Sequence, residues 1–340
     1  MKWNFIQSQK MSLKIIKSGI LDSIQDLGRW GHEHQGINPT GVMDRFSAQL
    51  VNILVGNDVN DAVIEMHFPA STFLFEEEAL IAIGGADFTA TVNDAEISLW
   101  HPLIVSKNSV LQFQKWKRGA RCYLAVREKL DIPKWLNSWS TNLKAGCGGY
   151  NGRTLQKNDV IEFLEENNYK KLLQNKNHIS FPWRPDIDWS SDFDKIAVIK
   201  GNEWDWLTEG SQQQFLQHLF TISSSADRMG YRLDGKLFAK NNQELVSSAV
   251  SFGTIQLLPN GELIILMADH QTTGGYPRVA HVITAHLPVL AQMRGGEKIN
   301  FCMTDQNEAE KLLRQQQEYL LQLEKACKFR LQEFLNAHRY

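Results

Sequence analysis

Residues 71–87, STFLFEEEALIAIGGAD, hold two short apolar runs, Ser71–Phe75 and Leu80–Ile83, separated by a run of glutamates. Runs of that length, stopped by turn residues, read as strands rather than helices. The same punctuation recurs at Leu13–Ile16, Ile97–Leu99, Leu103–Val105, Val110–Phe113 and Cys122–Val126, each bounded by Gly, Asn, Asp or Pro. That spacing predicts a β-sandwich or barrel. Gly84-Gly85-Ala86-Asp87, which closes the opening stretch, lacks dinucleotide-binding spacing and has no βαβ unit around it. No nucleotide fingerprint is read there.

One segment breaks the strand pattern. Phe46, Leu50, Ile53 and Leu54 recur at helical spacing behind Asp44, which predicts a helix over Asp44–Val55 with Asp44 as its N-cap. Periodicity lapses near Glu165, and Pro182 and Pro185 forbid a continuous element there. Strands resume at Ile196–Ile199, Phe220–Ser223, Ile255–Leu258 and Leu263–Met267, with a short helix over Gln212–Leu219. Tyr276–Gln292 mixes β-branched and helical signals, and periodicity leaves it open. The organisation expected is an extension over 1–12 (Met11 being a candidate start), a first β subdomain over 13–165, and a linker over 166–191. A second β subdomain over 192–304 and an amphipathic helix over 305–340 follow. In that helix Leu312, Leu313, Leu320, Leu323, Leu331 and Phe334 keep three-and-four spacing. It suits docking along its own domain or pairing with a partner helix, although Gln316 interrupts the seam.

Composition narrows the function classes. The 340 residues are 43% hydrophobic and 22% charged with a formal net charge of −2. No concentrated basic face speaks for nucleic acid or an anionic membrane. No run approaches the roughly 18–20 apolar residues of a membrane span, and Met1–Lys10 has no apolar signal core. Cys122, Cys147, Cys302 and Cys327 are scattered, without disulfide or zinc spacing, so free thiols in a reducing cytoplasm are expected. His32 and His34 lack a carboxylate cluster, and no metal site is expected.

Three polar, glycine-punctuated runs stand out as candidate sites. In Ser23–Arg29, continued to Asp44, the glycines at 28, 31, 36 and 41 let the backbone present N–H groups to a ligand. Gln25, Asp26, Arg29 and Asp44 are its candidate residues, with Asp26–Arg29 pairing across the turn as the alternative. In Ser223–Leu233, Arg228 and Arg232 suit a carboxylate or phosphate, the alternative being an Asp227–Arg228 salt bridge at a domain interface. In Met267–Pro277, Asp269 could act as base or orienting carboxylate. Gln271, Thr272, Thr273 and the backbone of Gly274, Gly275 and Tyr276 could donate to a developing oxyanion.

The stretches SIQDLGRWGHEHQGINPTGVMDRFSAQLVNILVGN, NSWSTNLKAGCGGYNGRTLQKND, SSADRMGYRLDG and MADHQTTGGYPRV together resemble the KipA family, also called allophanate hydrolase subunit 2, the 5-oxoprolinase C subunit, or biotin-dependent carboxyltransferase. The resemblance runs in order from about Leu13 to Phe301. It implies a mainly β protein of two cyclophilin-like β-barrel subdomains, plus the long C-terminal helix. It further implies one part, idle alone, of an ATP-dependent hydrolase that opens 5-oxoproline to glutamate. KipI-like (B) and LamB/YcsF-like (A) subunits would be its partners. The rival implications are a carboxyltransferase component working with biotin on urea, or a non-catalytic antagonist binding a KipI-like kinase inhibitor.

Two departures from the family pattern put substrate choice at issue: Arg127-Glu128-Lys129 replaces a glycine pair, and Leu136-Asn137-Ser138 replaces Leu-Gly-Ser. The chain carries no G-x-x-x-x-G-K-[ST] loop and no Met-Lys-Met tract, so neither ATP-loop nor biotin-carrier chemistry is its own. The expected pocket joins the first and third runs. Asp26, Asp269, Gln271 and Thr273 would be catalytic there, with an arginine on the substrate's anionic end.

Overall fold

The computed structural model describes residues 11–186, 195–240 and 245–337. Residues 1–10 of the expected extension over 1–12, part of the linker and the last three residues lie outside them. Two β bodies succeed each other along the chain. In the first, β1 (Ser12–Lys17), β2 (Ser23–Gln25), α1 (Arg45–Val55), β3 (Val63–Met66), β4 (Thr72–Phe75) and β5 (Ala79–Asp87) come first. β6 (Ala90–Val92), β7 (Ala95–Glu96), β8 (Leu103–Val105), β9 (Ser109–Phe113), β10 (Arg118–Val126), β11 (Val160–Glu162), α2 (Lys170–Leu173) and β12 (His178–Ser180) complete it. These make two six-stranded antiparallel sheets, ordered β11-β1-β4-β9-β6-β7 and β12-β8-β5-β10-β3-β2.

The apolar run Leu80–Ile83 of β5 explains how the sheets stack. Every residue of Ala79–Ala86 is buried, as expected of a strand covered on both faces. Ala79, Ile81 and Ile83 enter a core shared with Leu13, Phe73 and Leu111 of the other sheet. Leu80 and Ala82 alternate onto the opposite face, where α1 supplies Leu50, Val51 and Leu54. Asp44 caps α1 as expected, its carboxylate accepting from Ser47 N at 2.9 Å.

The second body contains β13 (Ile196–Lys200), α3 (Glu209–Gln217), β14 (Phe220–Thr221), β15 (Gly230–Leu233), β16 (Ser248–Ala249), β17 (Thr254–Leu257) and β18 (Leu263–Leu266). β19 (Thr273–Gly274), β20 (Arg278–Val282), α4 (Leu287–Ala291), β21 (Lys298–Ile299) and β22 (Phe301–Met303) follow. One six-stranded sheet, β15-β18-β17-β20-β13-β22, is accompanied by the pairs β14-β21 and β16-β19. The undecided stretch Tyr276–Gln292 is strand first and helix second, β20 then α4. Ile97–Leu99 is not a strand: it leads into a turn at Trp100 (φ 68°), whose indole lies over Gly84 so closely that an added Cβ would stand 2.3 Å from it.

Two segments differ from the expected division. The linker region contains α2 and β12, and β12 pairs with β8 at the edge of the first body's second sheet. The last helix, α5 (Gln306–Ala337), leaves the second body after β22 but buries Leu320, Cys327 and Leu331 in the core that α1 shares with the first body. At 1.5 Å per residue it spans about 48 Å, a strap from one body onto the other. No helix of the described residues is long and apolar enough to cross a membrane.

Candidate functional site

The first run folds inward. Asp26 accepts from Gly28 N at 2.8 Å, Trp139 N at 2.7 Å, Ser138 Oγ at 2.7 Å and Ser140 Oγ at 2.5 Å. A buried carboxylate needs such donors, and here loop 138–140 supplies three of the four. Gly28 (φ 96°) permits the turn, since a Cβ there would stand 2.9 Å from the carbonyls of Pro39 and Thr40. Arg29 turns from Asp26 to Thr40 Oγ1 at 2.5 Å and the Ser140 carbonyl, and lies 4.5 Å over the Trp135 ring. Its Nε is buried without a partner, and burial pulls the guanidinium below its ordinary pKa. Gln25 donates to Ser23 Oγ at 3.0 Å and to the Thr141 carbonyl at 3.3 Å.

Arg228 lies between the two bodies. Its Nε and Nη2 grip Asp269 Oδ2 and Oδ1 at 2.8 and 3.0 Å, its Nη1 meets Glu65 of β3, and its Nη2 donates to the Gly41 carbonyl at 2.6 Å. Glu65 Oε2 accepts from Met43 N and from the Tyr123 hydroxyl, both at 2.8 Å, and that hydroxyl accepts from Asp44 N at 2.8 Å. Gln292 donates to Asp44 at 2.7 Å and accepts from Ala120 N and Arg121 N at 3.0 and 3.1 Å. Arg121 reaches across to the Tyr231 hydroxyl at 2.7 Å. Burial alone would push Glu65 up, yet Arg228, His67 and Arg121 hold it below the usual carboxylate range. Burial likewise opposes charge on Arg228, and Asp269 and Glu65 outweigh it, raising its pKa. Burial pushes the Asp44 carboxyl up in spite of donors from Gln292 and Ser47. The interface salt bridge exists with different members than Asp227–Arg228: Asp227 accepts instead from Met229 N and Gly230 N in its own turn, at 2.8 and 3.1 Å.

The third run divides. Asp269 gives both oxygens to Arg228, which makes it an anchor of the seam. Thr273 and Gly274 form β19, with the Thr272 carbonyl accepting from Val250 N at 3.2 Å. Gly274 and Gly275 are close-packed: a Cβ would meet Gln256 Nε2 at 2.7 Å at the first and the Leu245 carbonyl at 3.2 Å at the second. Gln271 and Tyr276 line a cleft of about 540 Å³ together with Arg232, Gln256 and Asp227. This cleft joins the second and third runs, and no residue of the first run lines it. The first run meets the third at a narrower point, where Asn38 donates to the Asp269 carbonyl at 3.0 Å and accepts from Asn142 at 2.8 Å.

His270 stands beside that meeting point and is not among the residues expected from the sequence. Its Nδ1 lies 2.6 Å from the Gln271 carbonyl. A carbonyl only accepts, so Nδ1 carries the hydrogen and Nε2 keeps its lone pair. Burial lowers the ring's pKa, which favours the neutral base. Glu65 does carry a sequence signal, as a carboxylate inside the apolar run Val63–Met66. Gln292, Tyr123 and Asn38 carry none, because their partners lie far along the chain.

Neither departure from the family pattern touches the 540 Å³ cleft. Arg127 donates to the Val55 carbonyl at 2.6 Å, closing the end of α1. Glu128 accepts from Tyr169, Asn167 and Leu80 N at 2.8, 3.1 and 3.2 Å, and Lys129 pairs with Asp61 at 3.3 Å. These lie about 20 Å along β10 from Arg121, taking roughly 3.3 Å per residue. Asn137 (φ 61°) occupies the left-handed region that a glycine would serve, in the turn that brings Ser138 to Asp26.

Comparison with known proteins places this arrangement. The carboxyltransferase domain family, subdomain A and B, matches residues 35–303. The chain is 36% identical over 303 residues to a Haemophilus influenzae protein named as the C subunit of 5-oxoprolinase, covering 88% of this chain and 94% of that one. It is 34% identical over 319 residues to the Escherichia coli protein of the same name, covering 92% and 97%. A Saccharomyces cerevisiae urea amidolyase is 30% identical, and the match covers 88% of this chain but 17% of the yeast protein. Among solved structures, the K. lactis urea amidolyase superposes with a TM-score of 0.81 at 27% identity, covering 92% of this chain and 20% of that one.

Proposed function

The chain belongs to the carboxyltransferase domain family of subdomains A and B, and on that premise we propose that it works as the C subunit of a 5-oxoprolinase, a hydrolase complex that opens the lactam of 5-oxoproline to glutamate. The observation that carries this reading is the match to the two bacterial proteins, at 36% and 34% identity over most of both chains. The two bacterial 5-oxoprolinase proteins are matched over 94% and 97% of their chains, whereas the yeast enzyme is matched over 17%.

Arg29 and Arg228 are committed inside the protein, so the substrate carboxylate falls to Arg232, exposed on the wall of the 540 Å³ cleft. Gln256 and Gln271 on the same wall supply amide donors and acceptors for the lactam. Asp269 is gripped by Arg228, which leaves His270, buried next to the lining residue Gln271 and not itself in the cleft wall, as the neutral base for proton handling. Arg228, Asp269 and Glu65 hold the two bodies in register, while the cleft groups themselves all belong to the second body.

ATP drives the ring opening in this reading. The chain has no phosphate loop of the G-x-x-x-x-G-K-[ST] kind, so the nucleotide is assigned to the assembly. The partners are the KipI-like (B) and LamB/YcsF-like (A) subunits, in the cytoplasm. Reconstitution tests the proposal: the three chains together should release glutamate from 5-oxoproline only with ATP, and this chain alone should release none. Arg232→Ala in that assembly should raise KM for 5-oxoproline roughly tenfold, as loss of one charge-assisted contact does. Absence of glutamate release from the full assembly rejects the reading.

The likeness to urea amidolyase favours a second reading, carboxyl transfer from carboxybiotin to urea. Urea-dependent decarboxylation of a supplied carboxybiotin carrier, with no turnover of 5-oxoproline, would replace the first reading by the second.

A further inference from the structure

A second cleft opens on the seam between the two bodies, about 330 Å³ in volume, and its lining differs from that of the 540 Å³ cleft. Phe68, Phe88 and Trp116 of the first body form apolar walls, and Met293 of the second faces them. Phe68 and Phe88 are 5.5 Å apart, ring centre to ring centre, and Trp116 is fixed by a 2.7 Å hydrogen bond from its Nε1 to the Gly119 carbonyl. Over Trp116, at 4.3 Å from the ring, lies the guanidinium of Arg294, reaching across from the second body.

The charged groups lining this cleft are both arginines. Arg121 lines it, 5% exposed, with its Nε buried and without a hydrogen-bond partner. Arg294 stands exposed beside it and the Ser224 hydroxyl is at hand, while the Tyr231 hydroxyl is engaged, accepting from Arg121 at 2.7 Å and donating to the Met293 carbonyl at 3.2 Å. Among the described residues, no aspartate or glutamate lines the cleft. The buried carboxylate of Glu65, behind it, is occupied by Arg228, Met43 N and Tyr123. His67, also in the wall, has its pKa lowered first by burial and then by the charge of Arg121, with Glu65 opposing and Arg228 adding.

We propose that this cleft binds a small organic acid with a flat apolar body, its carboxylate held by Arg294 and its ring or chain laid between the aromatic walls and Met293. Geometry supports each half. A guanidinium parked on an indole is pre-positioned yet keeps its N–H edge free for a carboxylate. A volume near 300 Å³ lies at the small end of ligand pockets. The site is separate from the cleft proposed for 5-oxoproline, shares no residue with it, and stands whether or not that reading holds.

Benzoate and its uncharged counterpart benzamide test the inference, titrated calorimetrically into the full chain. Benzoate should bind saturably and benzamide at least roughly tenfold more weakly, the discrimination expected of a charge-assisted contact. Arg294→Ala should weaken benzoate by a similar factor. The residue is exposed and its guanidinium rests on Trp116 at the surface, so the variant should fold like the parent. Arg232→Ala, in the other cleft, should leave benzoate binding unchanged. Equal binding of benzoate and benzamide, no saturable binding of benzoate, or full retention of binding by Arg294→Ala would each overturn the proposal. Loss of benzoate in Arg232→Ala would do so too, by moving the site to the other cleft.

Discussion

The cluster around Asp26 and the cluster around Arg228 bury carboxylates to the same degree but neutralise them by different means. Asp26, 2% exposed, is surrounded by hydroxyl and N–H donors that all come from its own body. Glu65, fully buried, is matched by a cation from the other body. The first arrangement closes when one body folds. The second closes only when two bodies meet in one register, and Arg228 arrives already gripped by Asp269. A buried ion pair is weak evidence for stability as such. Its use here is geometric: a shifted seam would strand Glu65 without a counter-ion.

Replacing Arg228 should therefore have the largest effect. Arg228→Ala leaves the buried Glu65 and its neighbour Asp269 without their shared cation, and removing one partner of a buried pair costs about 3–5 kcal/mol. The urea midpoint should fall accordingly, and Arg228→Lys should recover only part, since an ammonium cannot reproduce the two-point grip on Asp269. A loss under about 1 kcal/mol would mean that the bodies are held by their apolar contacts and α5 instead.

Asp26→Ala is next. It strands the buried hydroxyls of Ser138 and Ser140 and the N–H of Trp139, for a cost of about 2–3 kcal/mol. Because the cluster lies within one body, amide exchange should rise over 138–149 and stay unchanged at the seam. Faster exchange at Met43 and Asp44 as well would show that the two clusters are coupled.

The seam also carries a pH dependence. His67 is held down to about 4 by burial and then by Arg121, against an ordinary value of 6.5. The unfolded chain binds this proton first, so the contribution of His67 to stability is lost as pH falls from 6.5 through about 4. Asp22, whose carboxylate accepts from His67 N at 3.1 Å, is pushed up by burial to about 6 from 3.8, and its contribution is lost as pH rises through that interval. His67→Asn should remove only the first slope. The variant should gain melting temperature relative to the parent at about pH 4.5 and match it at about pH 7; an equal difference at both would dismiss the titration.

The two clusters also differ in how far the sequence discloses them. Asp26 sits among glycines, and the reading that such a loop needs partners for its carboxylate is sound, although the partners are serines more than a hundred residues on rather than Arg29. The α1 cap at Asp44 and the strand runs around Ile81 and Leu124 are legible because their causes are local: side-chain spacing and a neighbouring N–H. Arg228 is legible as an arginine in want of an anion, and its neighbour Asp227 offers itself. The true partners, Asp269 and Glu65, are 41 and 163 residues away. Periodicity carries no information about which strand ends face each other, so the seam, the His270 orientation and the docking of α5 on the first body emerge only in three dimensions.

The smallest effect tests whether the departure at Asn137 bears on function at all. Trp135 and Ser138 close a tight turn with N–H to carbonyl contacts of 2.9 and 3.2 Å, and Leu136 and Asn137 between them have φ of 51° and 61°. Both central residues of such a turn need positive φ, a demand that asparagine meets more cheaply than other side chains. Asn137 is exposed, and it is Ser138 that reaches Asp26. Asn137→Gly restores the family residue and should change stability by no more than about 0.5 kcal/mol, slightly downward because glycine frees the unfolded chain. Glutamate release by the assembly should be unaltered. Asn137→Val should cost about 1–2 kcal/mol through the same backbone demand. If glycine instead changed substrate preference with stability intact, the turn would be acting on the site through Ser138 and Asp26, and the separation drawn between loop cluster and seam would have to be given up.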